Sequence, residues 1–275
     1  MNPTWQALAR EAGTAAEHLA IGVTVLGKSN YAQNANYIQA FFVLSIGLER
    51  TAKLALVVDY ALKNDGHFPL NAEVRKYGHN LQQLLIQLDK IAEQRGLTKA
   101  EDRLPQSAIH NGIIEVLSDF ASNITRYYNL DLITGDAKLK DVQEPIKAWF
   151  EKVTLPILAI HYKSQYRAKV EANARVVDEL LGEYAKVLYH SEQGTTLDTV
   201  YDASLHTGIT DFAQPYTRMY VLQIARFLAS LMTEFTYAAY DAKMPDIPHL
   251  SDFFRIFNNP DEYFKKRKTW SIYRM

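Results

Sequence analysis

Apolar residues recur at helical spacing along nearly all of the 275 residues, and no run of five or more alternates as a half-buried strand would. This periodicity restricts the chain to an all-α fold, a multi-helix bundle. The clearest stripe is Leu81, Leu84, Leu85, Leu88 and Ala92, at i, i+3, i+4, i+7 and i+11. A second runs through Ile109, Ile113, Leu117, Phe120, Ile124 and Tyr128. Positions 41–48 are apolar on all sides, so the helix over 31–63 belongs at the centre of the fold. Further helices are expected over 5–26, from Asn71 as an N-cap to Gly96, from Pro105 or Ser107 to about Ile133, over 197–205 and over 212–240. Positions 144–190 have helical composition throughout, yet one straight helix of that length would reach about 70 Å, against about 50 Å for a compact globule of this size. Pro156 is the expected break, leaving a helix over 155–189. Gly135 divides the expected arrangement into a helical module over 1–135 and a second helical layer with an irregular tail over 136–275.

Charge narrows the functional classes. The chain carries 30 Lys and Arg against 31 Asp and Glu, with 12 basic and 13 acidic residues before Gly135 and 18 of each after it. So even a balance excludes gripping long double-stranded DNA by phosphate neutralisation, while leaving room for a compact basic groove. The one basic run is Lys265, Lys266, Arg267 and Lys268, with Arg274 beyond it. Cysteine is absent, which removes disulfides, thiolate nucleophiles and cysteine-based metal sites. The longest uncharged apolar stretch, 38–48, is about half of the ~20 residues a membrane span needs. No membrane contact is expected, the first residues do not read as a signal peptide, and a cytoplasmic location follows.

Several chemistries lack their motifs. Neither G-x-G-x-x-G nor G-x-x-x-x-G-K-[ST] occurs, so no nucleotide cofactor is expected. G-x-S-x-G and H-E-x-x-H are absent, the eight histidines stand singly, and no Glu is followed by His at the third position. No metal is expected.

A pattern of short motifs remains. Gly47-Leu48-Glu49-Arg50 is followed by Lys53 and Leu56; Gly78-His79-Asn80-Leu81 follows about 30 residues later; Arg126-Tyr127-Tyr128-Asn129-Leu130-Asp131 closes the expected fourth helix. Together they resemble the HEPN superfamily, four-helix modules in which a helix bearing G-x-E and a following Lys precedes one bearing Gly-His-x-Leu. The resemblance covers about 33–133. It implies HEPN-like N-terminal helices in an often dimeric module, found in RNA-cleaving toxins, antiviral defence proteins and non-catalytic partners of nucleotidyltransferases. Active members carry an Arg followed by four to six residues and then a His. Arg103 and His110 meet that spacing, but Leu104 takes the place of the usual polar neighbour and Pro105 follows. His110 also lies near the edge of an apolar stripe, where a histidine can serve the core instead. Arg126 is the other candidate catalytic residue, with Asp131 standing where a histidine would complete the pair. A carboxylate cannot supply the imidazolium that metal-free RNA cleavage uses, so a site there would be inactive.

Two further groups stand out. Glu49 and Lys53 form an i, i+4 pair on a helix that reads as buried, and His79 projects away from its own helix's stripe, which makes the three a candidate polar network between helices. Tyr is the commonest aromatic, and beyond Pro156 it alternates with cations: Lys163, Tyr166, Arg167 and Lys169 are the candidate single-stranded RNA contacts. The expected function is an HEPN-like component of a bacterial antiviral-defence or toxin system. It is either a metal-independent ribonuclease or, as the incomplete Arg/His pair favours, a degenerate member that binds RNA or a partner encoded nearby. A homo-oligomer is expected. The alternative is a non-enzymatic helical scaffold that oligomerises and binds a protein.

Overall fold

The computed structural model describes residues 2–122 and 124–272, apart from the side chain of Lys138. It is an all-α multi-helix bundle, with one two-stranded hairpin among the described residues. Helix α1 (Pro3–Leu26) is capped by Asn2, whose side chain accepts from Thr4 N. It packs antiparallel on α2 (Asn34–Lys63), and glycines set the approach. A Cβ on Gly22 would lie 2.5 Å from Leu44 Cγ, and one on Gly47 would lie 3.0 Å from Leu19 N. Helix α2 is central and buries Phe41, Leu44, Gly47 and Leu48, but not all round as its apolar run at 41–48 predicts: Phe42 stays 42% exposed.

The third expected helix is two. Gly78 adopts φ 68°, so the chain turns between α3 (Asn71–Lys76) and α4 (Leu81–Gln94). Asn71 lies inside α3 and is not its cap; Asn80 caps α4, accepting from Gln83 N, and the Leu81 to Ala92 stripe is buried. The fourth expected helix also divides, into α5 (Ala108–Ala121), capped by Ser107, and α6 (Tyr128–Thr134), closed by Gly135 at φ 69°. Ile124 falls between them and is exposed.

Pro156 does not break the next helix. After α7 (Pro145–Trp149) comes a π-helical turn, Phe150–Thr154, in which Leu155 N bonds Phe150 O; Pro156 then sits in the first turn of α8 (Leu155–His161). A first-turn proline has no helical partner to lose, and the π turn removes the demand for one. The break comes instead at Tyr162 and Lys163, where ψ reaches 75° and 163°, before α9 (Ser164–Leu181). The expected helix over 155–189 is thus two helices and an extended segment.

The largest departure is α10 (Val200–Asp241), a single helix where two were expected, running through Pro215. At 1.5 Å per residue its 42 residues reach about 63 Å, longer than the globule the length argument allowed. Its first turns are half-exposed and reach out beside α9, and its later turns bury Val221, Leu222, Ile224, Phe227, Leu228 and Leu231 in the core. Burial on both sides outweighs the one backbone bond that Pro215 removes.

Before α10, β1 (Tyr189–His190) pairs antiparallel with β2 (Thr196–Leu197) around a turn with Gly194 at φ 82°. Glu192 points from this turn into the core. Its carboxylate accepts from Tyr37 on α2 at 3.1 Å and meets His206 Nε2 on α10 at 2.5 Å. Burial, then the Glu192 charge, raises the Tyr37 phenol well above its usual range and keeps its proton in that bond. The tail forms α11 (Leu250–Phe254) and α12 (Asp261–Lys266) and returns to α1, Trp270 N donating to Thr24 Oγ1 at 2.8 Å. One hydrophobic core runs from Leu8 to Trp270.

Arg218 of α10 is 3% exposed and has no carboxylate partner among the described residues. It donates to Lys265 O at 3.0 Å, in the last turn of α12, and lies against Gly27, the C-cap of α1. A carbonyl at the end of α12 takes the place of a carboxylate there.

Pro215→Ala restores a backbone bond and is expected to stabilise the fold by about 1–3 kcal/mol, seen as a higher urea midpoint. Gly47→Ala pushes a methyl onto the α1 backbone and should cost about 1–3 kcal/mol by the same measurement. A neutral Gly47→Ala would mean that α1 and α2 separate without penalty.

Candidate functional site: an aromatic and cationic elbow

The Arg and His that matched the ribonuclease spacing are each engaged elsewhere. Arg103 holds Asp89 through two bonds, Nε to Oδ1 at 2.7 Å and Nη2 to Oδ2 at 2.9 Å, while Leu104 N donates to the same carboxylate at 3.0 Å. This pins the segment before α5 to α4, and the hydrogen bonding holds the Asp89 carboxyl below its usual range in spite of burial. His110 is 5% exposed, with Nδ1 2.7 Å from Ser107 Oγ and Nε2 2.7 Å from Gln223 Oε1. Both ring nitrogens are occupied. Burial lowers its pKa and favours the neutral ring.

Arg126 packs over aromatic rings, its guanidinium carbon 5.0 Å from the Phe42 centroid and 5.7 Å from that of Phe120, with a 3.5 Å bond to Ala121 O. Asp131 lies in the first turn of α6. Arg274 is outside the described residues.

Glu49, Lys53 and His79 come together. Glu49 Oε1 accepts from Lys53 Nζ at 2.8 Å and from His79 Nδ1 at 2.9 Å. That second bond requires the proton on Nδ1. The His79 side chain is 73% exposed, so the three form a half-buried clip from α2 to the turn before α4, and His79 faces Glu49 and Lys53.

The joint between α8 and α9 is of another kind. Its extended Tyr162 and Lys163 bring α9 back along α10, and five rings meet over the α10 turns around Pro215. His161 stacks on Tyr216 at 4.1 Å and 17°; Phe212 lies 4.9 Å from Tyr162, 5.0 Å from Tyr166 and 5.4 Å from Tyr216. His161 Nε2 and Tyr220 OH are 3.0 Å apart. Burial, with Lys265 and Lys163 nearby, lowers the His161 pKa. Cations surround the rings: Arg167 stands 5.9 Å over Tyr162, Lys265 5.5 Å over Tyr216, and Lys163 and Lys169 are exposed alongside. Tyr166 leaves 42% of its surface open.

Lys163, at the N-cap, and Arg167, in the first turn, stand where the helix dipole favours acids, and the first turn has none; Lys169 follows in the second turn. Helix stability therefore does not account for them. Such an elbow can stack a flat ring and neutralise phosphates beside it.

Of the four expected RNA contacts, Lys163, Tyr166 and Arg167 belong to the elbow, and Lys169 is exposed one turn along α9. Sequence reasoning missed His161, Phe212 and Lys265 as members. The adjacency of His161 and Tyr162 to Lys163 was a usable signal; the approach of Phe212 and Lys265 was not, since both arrive from distant segments.

Among the described residues no group of His, Asp and Glu is placed to hold a metal ion, and no helix is long and apolar enough to cross a membrane. No family model, no curated protein and no solved structure matches this chain.

A lowered histidine pKa in the fold means that its contribution to stability is complete above the unfolded value of about 6.5 and is lost as pH falls through the folded value. His110→Gln should flatten the loss of urea midpoint between about pH 7 and pH 5, leaving the share that belongs to His161. An unchanged slope would show that protonation of His110 does not oppose folding.

Proposed function

We propose that the chain is an HEPN-like component of a bacterial defence or toxin system that binds single-stranded RNA at the α8–α9 elbow and does not cut it. The observation that carries this reading is the elbow itself, rings with one open face among cations that no helix preference explains. A base stacked on Tyr166 gains about 1–3 kcal/mol, and Lys163, Arg167 and Lys169 neutralise the flanking phosphates. The local scale of the patch agrees with the neutral overall charge, which rules out a long basic track.

Binding without cleavage follows from the state of the Arg/His pair. Metal-free cleavage needs an accessible imidazole that cycles its proton and a cation that stabilises the phosphorane. His110 is buried with both nitrogens occupied, and Arg103 is held by Asp89. Arg126, lying on Phe42 and Phe120, has Asp131 five residues on in place of a histidine.

Fluorescence anisotropy with a labelled single-stranded RNA tests this. Tyr166→Ala and Arg167→Ala are each expected to weaken binding about 5- to 100-fold, Arg167→Ala also lowering the salt slope by about 0.7. Incubation in EDTA should leave the RNA intact with wild type and with His110→Ala. Equal affinity of wild type and variants, or cleavage that His110→Ala abolishes, would overturn the reading.

A scaffold role has its own observation. Helix α6 buries none of its residues, and Leu130, Leu132 and Ile133 are 62%, 59% and 81% exposed. Monomers do not ordinarily leave such a helix uncovered, so we assign the expected homo-oligomer to this face. Sedimentation should show self-association that Leu130→Asp/Ile133→Asp abolishes; a monomeric wild type removes this role.

A further inference from the structure

The far end of α9 and the segment that follows it carry apolar side chains that nothing in the chain covers. Leu180, Leu181, Tyr184, Leu188 and Tyr189 are 66%, 51%, 85%, 88% and 50% exposed. Together they present on the order of several hundred Å², at or above the largest patch that monomers usually leave open. The patch is held at both ends. Ala174 of α9 is buried, Val170 packs so closely on Gly208 of α10 that a Cβ there would meet it at 2.5 Å, and Tyr189 meets the Tyr31 ring edge-on at 5.7 Å. Glu192, two residues past the hairpin's first strand, is anchored on His206 and Tyr37. A surface fixed in this way loses little freedom when something docks on it.

The charges beside it name the occupant. Glu179, Glu183 and Asp198 are exposed, and no ion pair engages them among the described residues; the exposed bases nearest in the chain are Arg175, one turn before Glu179, Lys186 and His190. Asp178 is accounted for by the fold, its Oδ1 accepting from Tyr201 N in the first turn of α10 at 3.1 Å. Glu179 stands in the last turn of α9, which has no basic residue, at the end where the dipole disfavours an acid. An acidic rim repels RNA and anionic lipid headgroups. A two-fold pairing of this patch with itself would bring two acidic rims of the same sign together. The paired edge of the hairpin is two residues long, too short to template an added strand.

We infer that the face formed by 180–189 docks an amphipathic, basic helix of a partner protein, its Leu or Phe face on Leu180, Tyr184 and Leu188 and its Lys or Arg flanks against Glu179, Glu183 and Asp198. The site is separate from the RNA elbow and does not rest on that reading.

The test is anisotropy with two labelled peptides of about 14 residues, one an amphipathic Leu/Lys helix and the other its Leu/Glu twin with the same apolar face. The Leu/Lys peptide should bind saturably, at least tenfold more weakly to Leu180→Ser/Leu188→Ser and at least threefold more weakly to Glu179→Lys/Glu183→Lys. The Leu/Glu twin should not bind. The substituted side chains are largely exposed, so both variants keep the fold, checked by circular dichroism, and retain wild-type affinity for RNA if the elbow binds it. Equal binding of the Leu/Lys peptide to wild type and the Ser variant, equal binding of both peptides, or no binding to folded wild type overturns the inference. So does self-association of wild type that the Ser variant abolishes, which would assign the face to a second copy.

Discussion

Nearly every part of this fold is placed by its packing on α10. The N-terminal hairpin of α1 and α2, the α5 helix, the returning α9 and the short tail helices all lie against it, so its continuity through Pro215 is the constraint on which the rest depends. A proline in a helix interior removes a donor and crowds the preceding turn, at about 3 kcal/mol in isolation. Here the turns on either side bury Thr210, Ala213, Thr217 and Arg218 among other elements, and Gln214 donates to Ser29 O at 3.0 Å. The helix is held straight enough to continue because its neighbours fix it on both sides of the proline. Arg218 belongs to the same device: its guanidinium donates to the Lys265 carbonyl at the end of α12 and packs against Gly27 at the end of α1, without a carboxylate.

Helix α9 places charge where a helix does not want it, Lys163 and Arg167 at its start and Glu179 in its last turn. Each exposed charge of this kind costs a few tenths of a kcal/mol at ordinary ionic strength, little enough to be carried by packing elsewhere. Local choices that oppose the fold's own stability concentrate at sites used for something else. On α9 they coincide with the two features that the core leaves open, the rings of the elbow and the apolar segment after Leu181. A single helix thus offers a cationic aromatic end and an acidic apolar end, and the balance of the whole chain conceals both.

The motif pattern and the structure meet in only part of the candidate site. Glu49, Lys53 and His79 were readable as a group because two lie one turn apart on α2 and the third projects away from its own apolar stripe; the structure brings them together, though at the surface of the fold. Arg103 and His110 share a spacing and no contact, because spacing along a chain does not specify what else lies nearby. Asp89 approaches Arg103 from α4 and Gln223 approaches His110 from α10, 113 residues away. The Glu192, His206 and Tyr37 network was illegible for the same reason.

The sequence by itself determined the class of the fold, the central place of α2 and the buried stripes of α4 and α5, since 3.6-residue periodicity is a local property that survives in any arrangement of helices. Its glycines marked real helix ends at 96 and 135, while the turn at Gly78 went unread inside an expected helix. Where helices stop was another matter. Pro156 was absorbed by a π turn, Pro215 by packing, and the real break fell at Tyr162 and Lys163, whose side chains carry no breaker signal. Helix ends and the elbow were decided by tertiary contacts, because the cost of a proline or an extended dipeptide is a few kcal/mol and burial against α10 is large enough to overrule it in either direction.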